Sequence, residues 1–192
     1  SRGLGDVYKR QDNIIIGGGM AFTFLRAKGK NIGGSLLDKS MINIAKSIIN
    51  NAISKGTKLI LPIDAVCASS LKDRNDKKTY PIDEIPSKMM GLDIGPDSVT
   101  RFNEFLGNSE TILWNGPMGV FESKAYENGT REMAIHLVSC VASGAKVIVG
   151  GGDTAAALEK FGLMKDMTHV STGGGASLEL SLIHISEPTR RM

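Results

Sequence analysis

Three times along the chain an apolar run gives way to three consecutive glycines and then to residues at helical spacing. Asn13-Ile-Ile-Ile-Gly-Gly-Gly-Met-Ala-Phe-Thr-Phe-Leu25, Lys146-Val-Ile-Val-Gly-Gly-Gly-Asp-Thr-Ala-Ala-Ala-Leu-Glu-Lys160 and Thr168-His-Val-Ser-Thr-Gly-Gly-Gly-Ala-Ser-Leu-Glu-Leu180 each read as a strand, a bare turn and a helix start. In the central repeat, Asp153 and Thr154 stand where the helix is expected to be capped. Between the repeats the pattern alternates between strand and helix. Met20, Phe24 and Ala27 mark a short helix closed by Gly29, and Asp38 is placed to cap a long one. The apolar stripe of that long helix is Met41, Ile42, Ala45, Ile48, Ile49, Ala52 and Ile53, and Gly56 closes it.

Residues 58–62 form the next strand and residues 63–69 continue extended. Residues 72–79 read as a charged surface loop or hairpin, and residues 80–86, with two prolines, as irregular. Gly91-Leu-Asp-Ile-Gly-Pro96 leads into a helix capped by Asp97 or Ser98, with Val99, Phe102, Phe105 and Leu106 inward. A strand over residues 111–114 precedes the loop Asn115-Gly-Pro-Met-Gly-Val-Phe-Glu122. The helix expected over residues 123–143 turns Ala134, Leu137, Val138 and Val141 inward. This alternation is that of βαβ units with right-handed crossovers and a mostly parallel sheet, so the three bare turns are expected along one carboxyl edge, where ligands of open α/β sheets bind.

Bare turns ahead of helices suit phosphate. No side chain screens the backbone N–H groups, and a helix N-terminus presents unpaired donors with about half a positive charge. Asp153 repels an anion placed there unless a cation lies between, and magnesium commonly bridges one carboxylate to nucleotide phosphates. Asp153 as a plain helix cap remains the alternative, and the two roles are compatible. Glu122, in a Gly/Pro loop, reads either as the acceptor of both ribose hydroxyls or as a solvated loop acid or cap of the next helix.

Composition narrows the rest. A chain of 192 residues with 41% hydrophobic content can bury a sizeable core. Its net charge of +3 is dispersed, without a basic block interleaved with aromatics, which gives no footprint for nucleic acid. No apolar run reaches the length of a membrane span and no signal-peptide pattern opens the chain, so no membrane partner is expected. Cys67 and Cys140 lack metal-ligand spacing and read as buried, reduced thiols of a cytoplasmic protein; Trp114 reads as core, and His136 and His169 as packed or surface histidines.

Gly150 to Ala155 formally satisfies the dinucleotide pattern G-x-G-x-x-A, but the strand about twenty residues on ends Val170-Ser171-Thr172 without the carboxylate that a ribose requires. A hydride-transferring dehydrogenase domain is therefore the weaker alternative. No G-x-x-x-x-G-K-[ST] loop occurs anywhere in the chain.

Taken in order, IIIGGGMAFTF, the GLDIGP segment from Gly91, LWNGPMGVFE ending at Glu122, IVGGGDTAAALEKFG and THVSTGGGASLEL resemble the C-terminal, nucleotide-binding domain of phosphoglycerate kinases over residues 12–181. The resemblance implies a Rossmann-like α/β fold: a three-layer arrangement of a parallel sheet with helices on both faces, lacking the family's first strand. It implies reversible phosphoryl transfer between 1,3-bisphosphoglycerate and ADP, giving ATP and 3-phosphoglycerate in glycolysis, by a cytoplasmic monomer that uses Mg2+ with ATP/ADP. On matching positions Gly18, Gly19 and Gly91 border the adenine, Gly116 lies at the nucleoside end and Glu122 holds the ribose. Gly151 and Gly152 turn around the phosphates, Thr154 meets them, and Asp153 meets the magnesium. Gly173, Gly174 and Gly175 face the phosphoryl group in flight, where fixed N–H dipoles stabilise its spread charge.

Residues 1–11 and 182–192 do not follow the family pattern and resemble translated adapter or assembly sequence. The family's opening strand with its Gly-Gly-Ala-Lys motif, and the N-terminal domain that receives phosphoglycerate, do not occur in this sequence. The chain is therefore expected to be an internal fragment, inactive alone, with a sheet edge or gap beside the strand over residues 14–16. A non-catalytic nucleotide-binding module is the other reading of the same residues.

Overall fold

A computed structural model of the chain describes residues 13–72 and 76–173. Eight strands and five α-helices are found among them: β1 (Asn13–Ile15), α1 (Gly18–Ala27), α2 (Ile42–Lys55), β2 (Lys58–Ile60), β3 (Asp64–Ala68), β4 (Lys78–Pro81), β5 (Met90–Ile94), α3 (Pro96–Leu106), β6 (Thr111–Asn115), α4 (Asn128–Ala142), β7 (Lys146–Gly150), α5 (Gly152–Phe161) and β8 (His169–Ser171). They form two compact units. The first holds residues 13–105 with Pro117–Met133, and the second holds Leu106–Gly116 with residues 134–173.

In the second unit β6, β7 and β8 make a parallel sheet with β7 in the middle. Val147, Ile148 and Val149 of β7 are completely buried, as an unbroken β-branched run in the centre of a parallel sheet should be. Leu137 of α4 and Ala157 and Leu158 of α5 are buried in the same unit. In the first unit β1 and β2 form a parallel pair, with Ile14 opposite Leu59. One apolar cluster gathers Ile16, Phe22, Phe24, Leu25, Leu61 and Ile85.

The α/β class expected from the sequence is present, with one addition. Residues 78–81, expected as the end of a loop or hairpin and the start of irregular chain, and residues 90–94, expected only to lead into a helix, are strands: β4 and β5 flank β3 in an antiparallel sheet ordered β4-β3-β5. Pro81 is tolerated because it terminates an edge strand, where no ladder hydrogen bond is required of it. The Phe22 ring lies over Gly91 so closely that a Cβ there would stand 2.2 Å from the ring.

Asp38 caps the 3-10 turn Lys39–Met41, accepting from the Ser40 amide at 3.0 Å, and α2 follows directly. Its stripe is only partly inward. Ala45 and Ala52 are buried, whereas Met41, Ile48 and Ile53 are exposed, because the stripe is broader than the surface beneath it among the described residues. On α3, Val99 and Phe102 are buried while Phe105 and Leu106 are half-buried. Trp114, Cys67 and Cys140 are buried, and burial pushes the Cys67 thiol up to about 11.

Two helix starts differ from the sequence expectation for one reason: the capping carboxylate comes from elsewhere in the chain. Neither Asp97 nor Ser98 caps α3. Asp64, at the start of β3 and 5% exposed, accepts from the Ser98 amide at 2.8 Å and the Asp97 amide at 3.2 Å. The Ser98 hydroxyl stands 2.5 Å from the same carboxylate and accepts from the Ile63 and Asp64 amides. Likewise α4 starts at Asn128 instead of Ser123, where Asp93 of β5 accepts from the Gly129 amide at 2.7 Å. Residues 121–126 form turns instead, closed by the Tyr126 amide donating to Ser123 O at 2.9 Å.

Replacing Asp64 with alanine leaves the buried Ser98 hydroxyl and the α3 amides without their acceptor, and is expected to lower stability by about 1–3 kcal/mol. Chemical denaturation of Asp64→Ala beside Asp97→Ala measures it, with the second variant expected near wild type.

Candidate nucleotide-phosphate site

The site in the second unit is built by the register of its sheet. Asn115 lies opposite Gly150, and Gly150 lies opposite Ser171, so the turns after β6, β7 and β8 leave the same carboxyl edge. That edge carries Gly116, then Gly151 to Thr154, then Gly173, and thus two of the three bare turns share a rim. Gly174 and Gly175 lie outside the described residues. The turn over residues 17–19 belongs to the first unit, where it follows the carboxyl end of β1.

The start of α5 differs from the expected cap. Gly151 occupies the N-cap position, and neither Asp153 nor Thr154 caps the helix through its side chain. The first intrahelical bond runs from the Ala155 amide to Gly151 O at 3.1 Å, so the amides of Gly152, Asp153 and Thr154 are the donors that such a helix offers outward. Asp153 stands exposed in this first turn. Thr154 is completely buried, and its hydroxyl accepts the Gly116 amide at 2.7 Å while keeping its own proton to donate. The Trp114 indole N–H donates to Gly116 O at 2.8 Å, so both peptide groups of Gly116 are pinned. A buried indole needs an acceptor, and this one turns a core residue into a brace for the rim.

The glycines here are not equivalent. Gly151 has φ +88°, and a Cβ on it would stand 2.6 Å from Asn115 Oδ1, so the backbone itself demands glycine. Gly152 is helical, and the point that a Cβ on it would occupy has nothing within 4 Å. Neither backbone conformation nor packing among the described residues accounts for a glycine at this position.

In the first unit Gly18 and Gly19 lie in α1, and Gly91 lies against it. A Cβ on Gly18 would meet Pro117 O at 2.6 Å, and one on Gly19 would meet Leu36 Cδ2 at 3.0 Å. Gly91 lies under Phe22 of the same helix and donates its amide to Ser35 Oγ at 2.9 Å. Glu122 is exposed in the turn that follows residues 117–121. Leu36, 73% exposed beside Gly19, was not singled out in the sequence, and Met20, expected on the apolar spacing of α1, is 66% exposed. The only signal was Leu36 and Leu37 standing side by side, which periodicity does not resolve.

Magnesium fits this arrangement in a limited way. Among the described residues no group of three or more His, Cys, Asp or Glu could hold a metal. A single exposed carboxylate ahead of outward-facing amides is nevertheless a donor set that magnesium accepts, since it keeps several waters and takes its other ligands from phosphates. No acid is present in β8, the strand in which a dinucleotide fingerprint would need one. A cleft of about 480 Å³ lined by Asn108, Ser109, Glu110 and Lys146 opens where β6 and β7 begin, at the opposite end of these strands. No helix among the described residues is long and apolar enough to cross a membrane.

A family model described as phosphoglycerate kinase matches residues 3–181. The chain is 49% identical over 171 residues to a phosphoglycerate kinase of Thermosipho africanus, covering 88% of this chain and 42% of that protein. It is 47% identical over 169 residues to the cytosolic phosphoglycerate kinase 3 of Arabidopsis thaliana, with the same two coverages. Among solved structures, that of phosphoglycerate kinase from Coxiella burnetii superposes with a TM-score of 0.82 at 40% identity, covering 88% of this chain and 43% of that one. The chain thus spans less than half the length of these relatives.

The contrast between the two glycines is testable without ligand. Gly152→Ala is expected to leave stability unchanged or raise it by up to about 1 kcal/mol, and Gly151→Ala to lower it by about 1–3 kcal/mol. Thermal or chemical denaturation of the two variants reads the difference.

Proposed function

The chain belongs to the phosphoglycerate kinase family, and from that premise we propose that it provides the nucleotide-binding part of an enzyme moving a phosphoryl group between 1,3-bisphosphoglycerate and ADP. The observation that carries this reading is Gly152: a helix-opening glycine, on a rim shared by two bare turns, with empty space where a side chain would be.

The chemistry needs no covalent intermediate on the protein. Phosphoryl transfer is governed by positioning and by stabilising charge on the equatorial oxygens. The amides of Gly152, Asp153 and Thr154 are the donors assigned to the nucleotide phosphates, and the dipole of α5 adds to them. Thr154 is doubly engaged: its buried oxygen holds Gly116, and its proton is assigned to a phosphate oxygen. Gly173, with Gly174 and Gly175 beyond the described residues, is assigned to the transferring group. The carboxylate of Asp153 would hold the magnesium, which supplies neutralising charge to the phosphates when bound. At the nucleoside end Gly18, Gly19 and Gly91 are assigned to the adenine, with Leu36 and Met20 as its apolar ledge, Gly116 to the nucleoside and Glu122 to the ribose hydroxyls.

The family assigns phosphoglycerate to a domain that these residues do not include, so the acceptor reaction is a property proposed for the whole enzyme. The activity, the cytoplasmic setting and the monomeric state rest on the family alone.

Isothermal calorimetry on the 192-residue chain tests the assignment. Binding of Mg-ADP is expected to be lost on adding a chelator and weakened tenfold or more in Asp153→Ala and in Gly152→Ala. Unchanged magnesium-dependent affinity in Asp153→Ala would remove its role. The chain alone is expected to show no turnover in a coupled assay, and near-normal turnover would overturn the assignment of the acceptor to another domain.

A further inference from the structure

We propose that Asp93 is the positioning residue of the loop that carries Glu122, fixing it from beneath by a carboxyl group clamped between two glycines. The inference deepens the nucleotide-binding reading and depends on it for the ligand. The geometry stands by itself.

Asp93 lies in β5 and is 4% exposed. On one side it meets the loop: a Cβ on Gly119 would stand 2.2 Å from Asp93 Oδ1 and 2.7 Å from its Cα. On the other it meets the start of α4, where the Gly129 amide donates to Oδ2 and a Cβ on Gly129 would stand 2.3 Å from Oδ1. The Ile94 amide donates to Oδ1 at 2.9 Å. No larger residue fits at 119 or 129 while this carboxyl stays in place.

The loop is tied down around the same point. The Val120 amide donates to Leu92 O at 2.8 Å, one residue before Asp93, and the Met118 amide donates to the buried Thr130 hydroxyl at 3.0 Å, one residue after Gly129. Met118 and Pro117 in turn cover Gly17 and Gly18. Asp93 therefore sits where β5, the loop and α4 converge, and Glu122 lies three residues beyond the clamped Gly119. A carboxyl group is the shape that accepts from both helix and strand amides while filling the slot between two bare α-carbons.

Burial pushes Asp93 up to about 7, against the pull of the Gly129 and Ile94 amides and of Lys77. The charged groups at the start of α4 are Glu127 and Arg131, paired at 2.6 Å, and Lys77 donates to Ala125 O at 3.2 Å in the turn before it. Because the folded value lies above the ordinary 3.8, the native state holds a proton that the unfolded chain releases. The stabilising contribution is full below about 3.8, declines as pH rises from there to about 7 and is absent above it, so the clamp loosens as pH approaches 7.

The test follows amide exchange and Mg-ADP affinity in wild type, Asp93→Asn, Asp93→Ala and Gly119→Ala between pH 5.5 and 8.5. In wild type the protection factors of the Met118, Val120 and Gly129 amides are expected to fall several-fold between pH 5.5 and 7 and to level off above it, and the affinity to weaken with them. Asp93→Asn, which keeps the shape and one acceptor without the charge, is expected to hold both nearly flat with pH. Asp93→Ala and Gly119→Ala are expected to lose tenfold or more in protection at residues 118–120 and in affinity, with β7 amides unchanged. Should Asp93→Ala fail to fold, Gly119→Ala carries the test, since it separates loop from carboxyl without altering charge. Wild-type protection at residues 118–120 in Gly119→Ala or in a folded Asp93→Ala, or disordered loop amides with unchanged affinity, would overturn the proposal. Absence of any Mg-ADP binding by wild type would refute the nucleotide reading instead, and the exchange data would still decide the role of Asp93.

Discussion

The structure of the first unit depends on carboxylates that reach across the chain to cap helices they do not belong to. Asp64 and Asp93 are both buried in strands of the antiparallel sheet, and each accepts a backbone amide at the start of a later helix. An ordinary N-cap is local and exposed, and serves one helix end. A distant, buried cap does more. It fixes where the helix starts, ties strand to helix, and makes the carboxylate intolerant of solitude, because an unsatisfied acceptor in that setting is expensive. Glycines cluster around both groups: Gly95 against Asp64, and Gly119 and Gly129 against Asp93. Part of the high glycine content thus serves to bring backbone against buried acids.

This division of labour clarifies what the bare turns do. Gly18 and Gly91 are explained by contact with Pro117 and Phe22, and Gly151 by its backbone conformation. Gly152 is explained by neither, since the space where its side chain would stand is open. The buried Thr154 and Trp114 hold both peptide groups of Gly116 at that rim.

The parts legible in the sequence were those with local causes. Val147 to Val149 announced a buried central strand, Gly56 a helix end, and two of the three glycine turns a rim, the third lying after β1 in another sheet. The antiparallel sheet escaped notice because Tyr80 and Pro81 sit in a short, polar edge strand whose pairing is decided by β3, far from any local signal. The start of α3 was misplaced because Asp97 and Ser98 were credited with capping done by Asp64, and that of α4 because the amide acceptor at its start, Asp93, lies in a distant strand. Leu36 was invisible as a surface residue because an apolar side chain beside a glycine turn reads as core. In each case the missing information was a partner distant in sequence, which no window of periodicity contains.

The two units are interleaved along the chain: the segment Pro117–Met133 completes the first after part of the second has already been made. During synthesis β6 therefore leaves the ribosome before β7, its ladder partner among the described residues, and the pairing of Ile112 and Trp114 with that strand waits until the loop and α4 have been made.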